Sequence, residues 1–204
     1  MQKLSSDVIQ VDRLNQVIGP VDLLVAHTGE GILHRAISVF LFRVSLGRVE
    51  VLLQQRSQSK SVCPGLWANT VCGNVRWGES IEECALRRLD QELGINNLQM
   101  GNQKDLDKNQ KKSGTAMINQ VFPLNLFEYV TQCDNLVERE LDQIYAGWFK
   151  GKIQPNPAEV SQTRWMAVEE VKNELQQNAQ NFAPWFKLIW TDATTQQRIN
   201  QFIS

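Results

Sequence analysis

Three carboxylates at alternate positions, Glu138, Glu140 and Asp142, share one face of any strand that carries them, because successive strand side chains point to opposite sides. Carboxylates so placed repel one another, and each holds its neighbours' pKa values up unless a cation sits among them. The plainer reading is a solvated acidic strand face. His27 and His34 are the only histidines in the chain, and each alone is more often structural or solvated than a ligand.

A second cluster lies on a helix. Projected at 100° per residue, Glu79 to Leu93 sets Ile81, Ala85 and Leu89 in one apolar stripe, and Arg88 and Glu92 fall inside it. Arg87, Glu83 and Asp90 point the other way. Charges seldom sit on a buried face unless they are paired or hold a ligand. Two readings stand side by side: a buried Arg88–Glu92 pair at i,i+4 spacing, or a carboxylate for a metal beside a guanidinium whose planar fork grips phosphate.

The elements that must position these groups can be read from periodicity. Ile32 to Val44 and Val49 to Arg56 read as strands around Gly47, and Leu66 to Val75 as a third. A helix starts near Gly78 to Ser80 and stops at Gly94. Asn96 to Ser113 is polar and reads as a loop. Ala116 to Val130, Glu138 to Lys150 and a short piece from Arg164 to Val168 complete the strands. Helices follow over Val168 to Gln177 and Pro184 to Ile203. This order predicts an α+β class with a mixed sheet flanked by helices. One domain over residues 1–204 is expected, with a core at about 32–170 and a C-terminal helix at about 184–203.

The formal net charge of -1 provides no basic field for nucleic acid, so an anionic substrate must rely on local cations. No signal peptide or membrane span is read, so neither membrane nor nucleic acid is expected as a partner. The four cysteines, Cys63, Cys72, Cys84 and Cys133, are irregularly spaced without a CxxC pair. They are expected as free thiols in a reducing cytoplasm.

Gly73, five residues, Glu79, seven residues, then Arg87-Arg88-Leu89-Asp90-Gln91-Glu92-Leu93-Gly94-Ile95 resembles the Nudix signature. A hydrolytic Nudix enzyme carries a glutamate after the arginine and a glutamate pair near the helix end. Arg88 and Gln91-Glu92 stand there instead, which weakens hydrolysis through a cluster of metals.

LHRAISVFLF, QQR, PGLWANTVCG, GES and RRLDQELGI, with ERELDQIY and APWFKLIW later, resemble the type I isopentenyl-diphosphate isomerases, from about His27 to Trp190. The resemblance implies a 1,3-shift of a double bond by protonation and deprotonation, producing dimethylallyl diphosphate without a flavin. Cys72 matches the catalytic cysteine, although a cysteine beside apolar residues is, taken alone, more often a buried core thiol. Glu140 matches the opposed carboxylate, Tyr129 its assisting tyrosine, and Trp185 a ring able to stabilise a carbocation.

The resemblance further implies one divalent ion at His27, His34, Glu138 and Glu140, and a magnesium ion near Glu92. The family's third histidine falls on Asn74, a weaker ligand that suits Mg2+ or Mn2+ better than zinc. The family's lysine four residues before the first histidine falls on Leu23. Arg56, Lys60 and Arg88 match the remaining cations for the diphosphate. Two rival readings remain, a Nudix hydrolase of a nucleoside or prenyl diphosphate and a non-catalytic diphosphate-binding relative. Neither oligomeric state nor proton order is legible.

Overall fold

A computed structural model of the protein describes residues 6–102 and 119–204. The longest element of the first half is β3 (His34–Ser45), which hairpins onto β4 (Arg48–Arg56). Its tight turn uses Leu46 and Gly47, both at positive φ (51° and 77°), the geometry that fits strand twist. β3 exchanges partners along its length: Ala36 to Val39 pair with β6 (Val71–Asn74), and Phe42 to Ser45 pair with β4. On its other edge it runs parallel to β9 (Leu136–Trp148), with His34 opposite Glu140.

β8 (Gln120–Cys133) is antiparallel to β9, with Tyr129 opposite Glu140. β7 (Gln99–Met100) and β10 (Val160–Ala167) close the edges, giving the order β10-β4-β3-β9-β8-β7. This mixed sheet bears out the expected class. An N-terminal hairpin, β1 (Val8–Val11) and β2 (Val17–Val21), adds to it through Gln10 opposite His34.

Each face of the sheet carries its own core. One face holds α2 (Ile81–Leu93), which buries Cys84, Ala85, Leu89 and Leu93 against Ile37, Val39 and Leu41. Its start is a capping box between Ser80 and Glu83, and it ends at Gly94 in the left-handed region (φ 63°). The other face holds α3 (Val168–Gln177), α4 (Pro184–Thr191) and α5 (Ala193–Ile203), whose Phe186, Trp190 and Phe202 pack on Phe40, Phe42 and Phe122. Full burial of one such ring is worth roughly 1.5–3 kcal/mol.

The structure revises several expectations. The third strand is two pieces, β5 (Trp67–Ala68) paired with β4 and β6 paired with β3. Asn69 and Thr70 divert the chain between them: the Thr70 hydroxyl donates to the Leu52 carbonyl (2.7 Å) and accepts the Leu41 N–H (2.9 Å). The C-terminal helix breaks at Asp192, which leaves the helical region (ψ 127°) and caps α5 by accepting the Thr195 N–H. Ala116 and the two residues after it, and most of Asn96 to Ser113, lie outside the described residues.

Cys63 and Cys133 are not free thiols but a disulfide, with Cα atoms 5.6 Å apart and a sequence separation of 70. Only the sheet brings the loop after β4 beside the end of β8. Cys72 and Cys84 remain free. Among the described residues, no helix is long and apolar enough to cross a membrane.

Candidate active site

Strand register assembles the site. His34 opens β3, Asn74 ends β6 and pairs across β3 with Ala36, and Glu138 and Glu140 alternate along β9. His27 comes from α1 (Leu23–Ala26), a single turn capped by the Asp22 carboxylate. The Val137 N–H donates to the His27 carbonyl, docking this turn on β9. One ligand atom from each of His27, His34, Glu138 and Glu140 lies within 4.8 Å of the others, and all four residues are buried.

The donor chemistry fits a divalent cation. Both Nδ1 atoms sit 2.7 Å from backbone carbonyls, those of Leu23 and Ile32, which can only accept. Each Nδ1 therefore carries the proton, which leaves each Nε2, facing the cluster, able to serve as a ligand. His27 Nε2 lies 3.0 Å from Glu138, His34 Nε2 3.7 Å from Glu140, and Asn74 Oδ1 3.3 Å from His34 Nε2.

Without an ion, burial disfavours charge on His27. The hydrogen bond and charge of Glu138 outweigh it and hold the imidazole up at about 9. A proton then serves as the balancing cation, and a divalent ion would displace it. Burial, then the charge of Glu140, pushes Glu138 up. Asp142, buried and holding only the Ser38 hydroxyl at 2.7 Å, is pushed well above the usual carboxylate range for the same two reasons.

Beside the cluster opens a cavity of about 400 Å³, and Cys72, Tyr129, Glu140 and Trp185 all line it. Burial would raise the Glu140 carboxyl, but His34, Glu138 and the Tyr129 hydroxyl, which donates to it, bring it below the usual range. Burial pushes the Cys72 thiol up to about 12, against the pull of Arg56, so it keeps its proton. One wall thus holds an ionised carboxylate and another a protonated thiol. The Arg56 guanidinium lies 5.0 Å from the centroid of the Trp185 ring, already a cation on that face.

Arg56, Lys60 and Arg88 also line the cavity. Glu159, in the turn before β10, accepts from Lys60 (2.7 Å) and Arg88 (3.1 Å) through one oxygen. Arg88 pairs with Glu92 as well, and Gln54 donates to Glu92 at 2.6 Å. Glu92 is therefore tied into the buried helix pair and is not among the four clustered ligands. Leu23 lines the cavity and brings no charge.

Three charged cavity residues were not singled out from the sequence as site residues. Arg87, on the outward side in projection, turns back through a fork onto Glu79 (2.5 and 2.9 Å) and reaches the cavity wall. Arg76, on an isolated bridge to Val8, and Glu159, in a turn, carry no periodic signal. The Gly73 position has a packing reason: a Cβ there would meet Arg88 Nε at 2.9 Å.

A NUDIX domain family model matches residues 32–186. The chain is 37% identical to the isopentenyl-diphosphate Delta-isomerase of Rhodobacter capsulatus, with 84% of this chain and 85% of that protein covered. It is 36% identical to the enzyme of the same name from Serratia proteamaculans, over 91% and 89%. Among solved structures it is similar to a Deinococcus radiodurans protein with a TM-score of 0.62 at 20% identity, covering 96% of this chain and 99% of that one. A Shewanella oneidensis NUDIX domain solved with ADP-ribose gives a TM-score of 0.53 at 19% identity, over 82% and 87%. These two likenesses concern the fold alone. With the sequence relatives and the family match together, the chain belongs to the isopentenyl-diphosphate Delta-isomerase family of NUDIX proteins.

Proposed function

We propose that the protein isomerises isopentenyl diphosphate to dimethylallyl diphosphate, with Cys72 and Glu140 as the opposed acid–base pair. The observation that carries this reading is one cavity lined by a protonated thiol and by an ionised, tyrosine-bonded carboxylate. A proton is delivered at the terminal alkene carbon and another is lost from the far side of the tertiary cation. An unactivated alkene needs both a positioned acid and a site that tolerates the cation.

Trp185, 3% exposed, offers its ring face for that cation, and Tyr129 orients Glu140 through its hydroxyl. Arg56, Lys60 and Arg88 are the groups we assign to the diphosphate. His27, His34, Glu138 and Glu140, with Asn74 at the edge, would hold a divalent ion, Mg2+ or Mn2+ by the hardness of the set. Such an ion supplies positive charge that keeps the carboxylates ionised and orients the substrate. Glu92 would touch a magnesium ion carried by the diphosphate only by leaving Arg88.

In this reading no flavin takes part, the partner is a small diphosphate rather than nucleic acid or membrane, and the enzyme works in the cytoplasm. The whole chain acts as one unit, with its core at about 32–170 and the C-terminal helices as a cover.

Incubation with isopentenyl diphosphate and Mg2+ in deuterated water, followed by NMR, tests the reading. Deuterated dimethylallyl diphosphate is expected. Release of phosphate would replace the reading with hydrolysis, and bound but unchanged substrate would reduce the protein to a binding module.

A further inference from the structure

Every lysine and arginine on the cavity wall can be asked what it already holds. Lys60 and Arg88 share Glu159, and Arg88 also holds Glu92. Arg87 forks onto Glu79. Arg56 donates to the Val62 carbonyl and stacks on Trp185. Arg76 differs: among the described residues, its side chain takes part in no hydrogen bond and no ion pair.

Arg76 lies two residues past the end of β6, where its backbone bridges Val8 and its N–H donates to Glu79 at 3.1 Å. Its side chain lines the cavity and is partly buried. The carboxylate nearest in sequence, Glu79, meets only its backbone N–H and is already held by the Arg87 fork. A partly desolvated guanidinium without an anion is costly. A chain maintains such a group where a ligand is to be met, and a guanidinium's planar fork matches phosphate oxygens.

We propose that Arg76 is a substrate-binding residue that grips the diphosphate, adding a cation to a wall where Leu23 brings none. The inference rests on the diphosphate reading above and deepens it. Lys60 and Arg88 must loosen Glu159 before they can hold an anion, whereas Arg76 needs to break nothing.

The test uses the full chain, wild type against Arg76→Gln and Arg76→Lys. Arg48→Gln serves as a control, because Arg48 pairs with Glu169 and Glu170 on α3. Binding of inorganic pyrophosphate with Mg2+ is measured by calorimetry, and turnover of isopentenyl diphosphate by steady-state kinetics. Arg76→Gln should weaken pyrophosphate binding and raise KM by roughly tenfold to a hundredfold, the loss expected for a hydrogen bond to a charged group. Its kcat should stay within a few fold, Arg76→Lys should recover part of the loss, and Arg48→Gln should match wild type.

Since no described protein group depends on the Arg76 side chain, the melting temperature of Arg76→Gln should not fall. Pyrophosphate affinity equal to wild type in Arg76→Gln, or a fall in kcat at constant KM, overturns the proposal. A wild type that binds pyrophosphate without isomerising anything removes the isomerase reading, yet the affinity comparison still decides Arg76. A wild type that neither binds pyrophosphate nor turns over isopentenyl diphosphate overturns both.

Discussion

The cation-bearing and carboxylate-bearing halves of the cavity solve the problem of buried charge in opposite ways. In the first, Lys60, Arg87 and Arg88 are matched by Glu159, Glu79 and Glu92, so most of that wall is neutral before any ligand arrives. In the second, Glu138, Glu140 and Asp142 crowd one strand face with, among the described residues, His27 and His34 against them. A matched wall can exchange partners at small net cost, because each new anion replaces an old one. An unmatched wall must import a cation or keep protons, and its raised Glu138 and Asp142 record that debt. The difference separates a half able to trade anions from a half whose residues could hold a metal.

The sharpest break comes at the junction of the halves. Cys72→Ala should lower turnover by on the order of 10³, within the range for loss of a general acid, while circular dichroism and thermal melts stay as in wild type. Full activity in that variant would end the assignment of Cys72. Next in size is the covalent tie between the halves, since Cys63 lies on the loop that carries Lys60 and Cys133 ends the strand that carries Tyr129. Reduction, or the Cys63→Ser variant, should cost about 4 kcal/mol for a closed loop of 70 residues in denaturant melts.

Within the matched half, Glu79→Gln strands the Arg87 guanidinium and should cost about 3 kcal/mol. Burial alone would raise Glu79, but Arg87 brings it below its ordinary value of 4.5. Its contribution is therefore complete above pH 4.5 and is lost as pH falls through the lower folded value. The stability gap between wild type and variant, followed by urea melts at stepped pH, should close on that acid side and nowhere else. A gap that is constant down to strongly acid pH would show that the pair is not ionic.

The smallest effect belongs to the unmatched half. Asn74→His puts an imidazole where Asn74 Oδ1 now lies 3.3 Å from His34 Nε2. It should tighten Zn2+ about tenfold relative to Mg2+, following the preference of imidazole for softer ions. Competition measured by metal analysis after dialysis checks this, and an unchanged ratio would put Asn74 outside the coordination sphere.

The sequence made much of this architecture legible, for reasons that differ by element. β3 and β4 are buried on both faces, so their continuous apolar runs announce them, and α2 is framed by Ser80, Glu83 and Gly94. The alternation of Glu138, Glu140 and Asp142 made their shared face readable. The N-terminal hairpin was not, because β2 carries Gly19 and Pro20 and is largely exposed, leaving no alternation to detect. Arg87 was read as outward because a projection fixes the direction of Cβ, while a long side chain can fold back to a carboxylate eight positions earlier. Glu159 and the Cys63–Cys133 bond depend on contacts far apart in sequence, which no local pattern encodes, and Arg76 stands out only by lacking such contacts among the described residues.

The parallel pairing of β3 with β9 sets the order of events during synthesis. Ser38 and Asp142 touch across 104 residues of chain, and His34 faces Glu140 across the same seam. Such a seam closes only after the intervening chain exists, and loop closure makes it a late step in folding. A ribosome-bound chain that has not yet released β9 owns both histidines but neither glutamate. An ion held by all four residues therefore adds its binding energy to the finished fold alone, about 2.7 kcal/mol at a hundred times its Kd. It locks a completed protein and cannot nucleate a partial one.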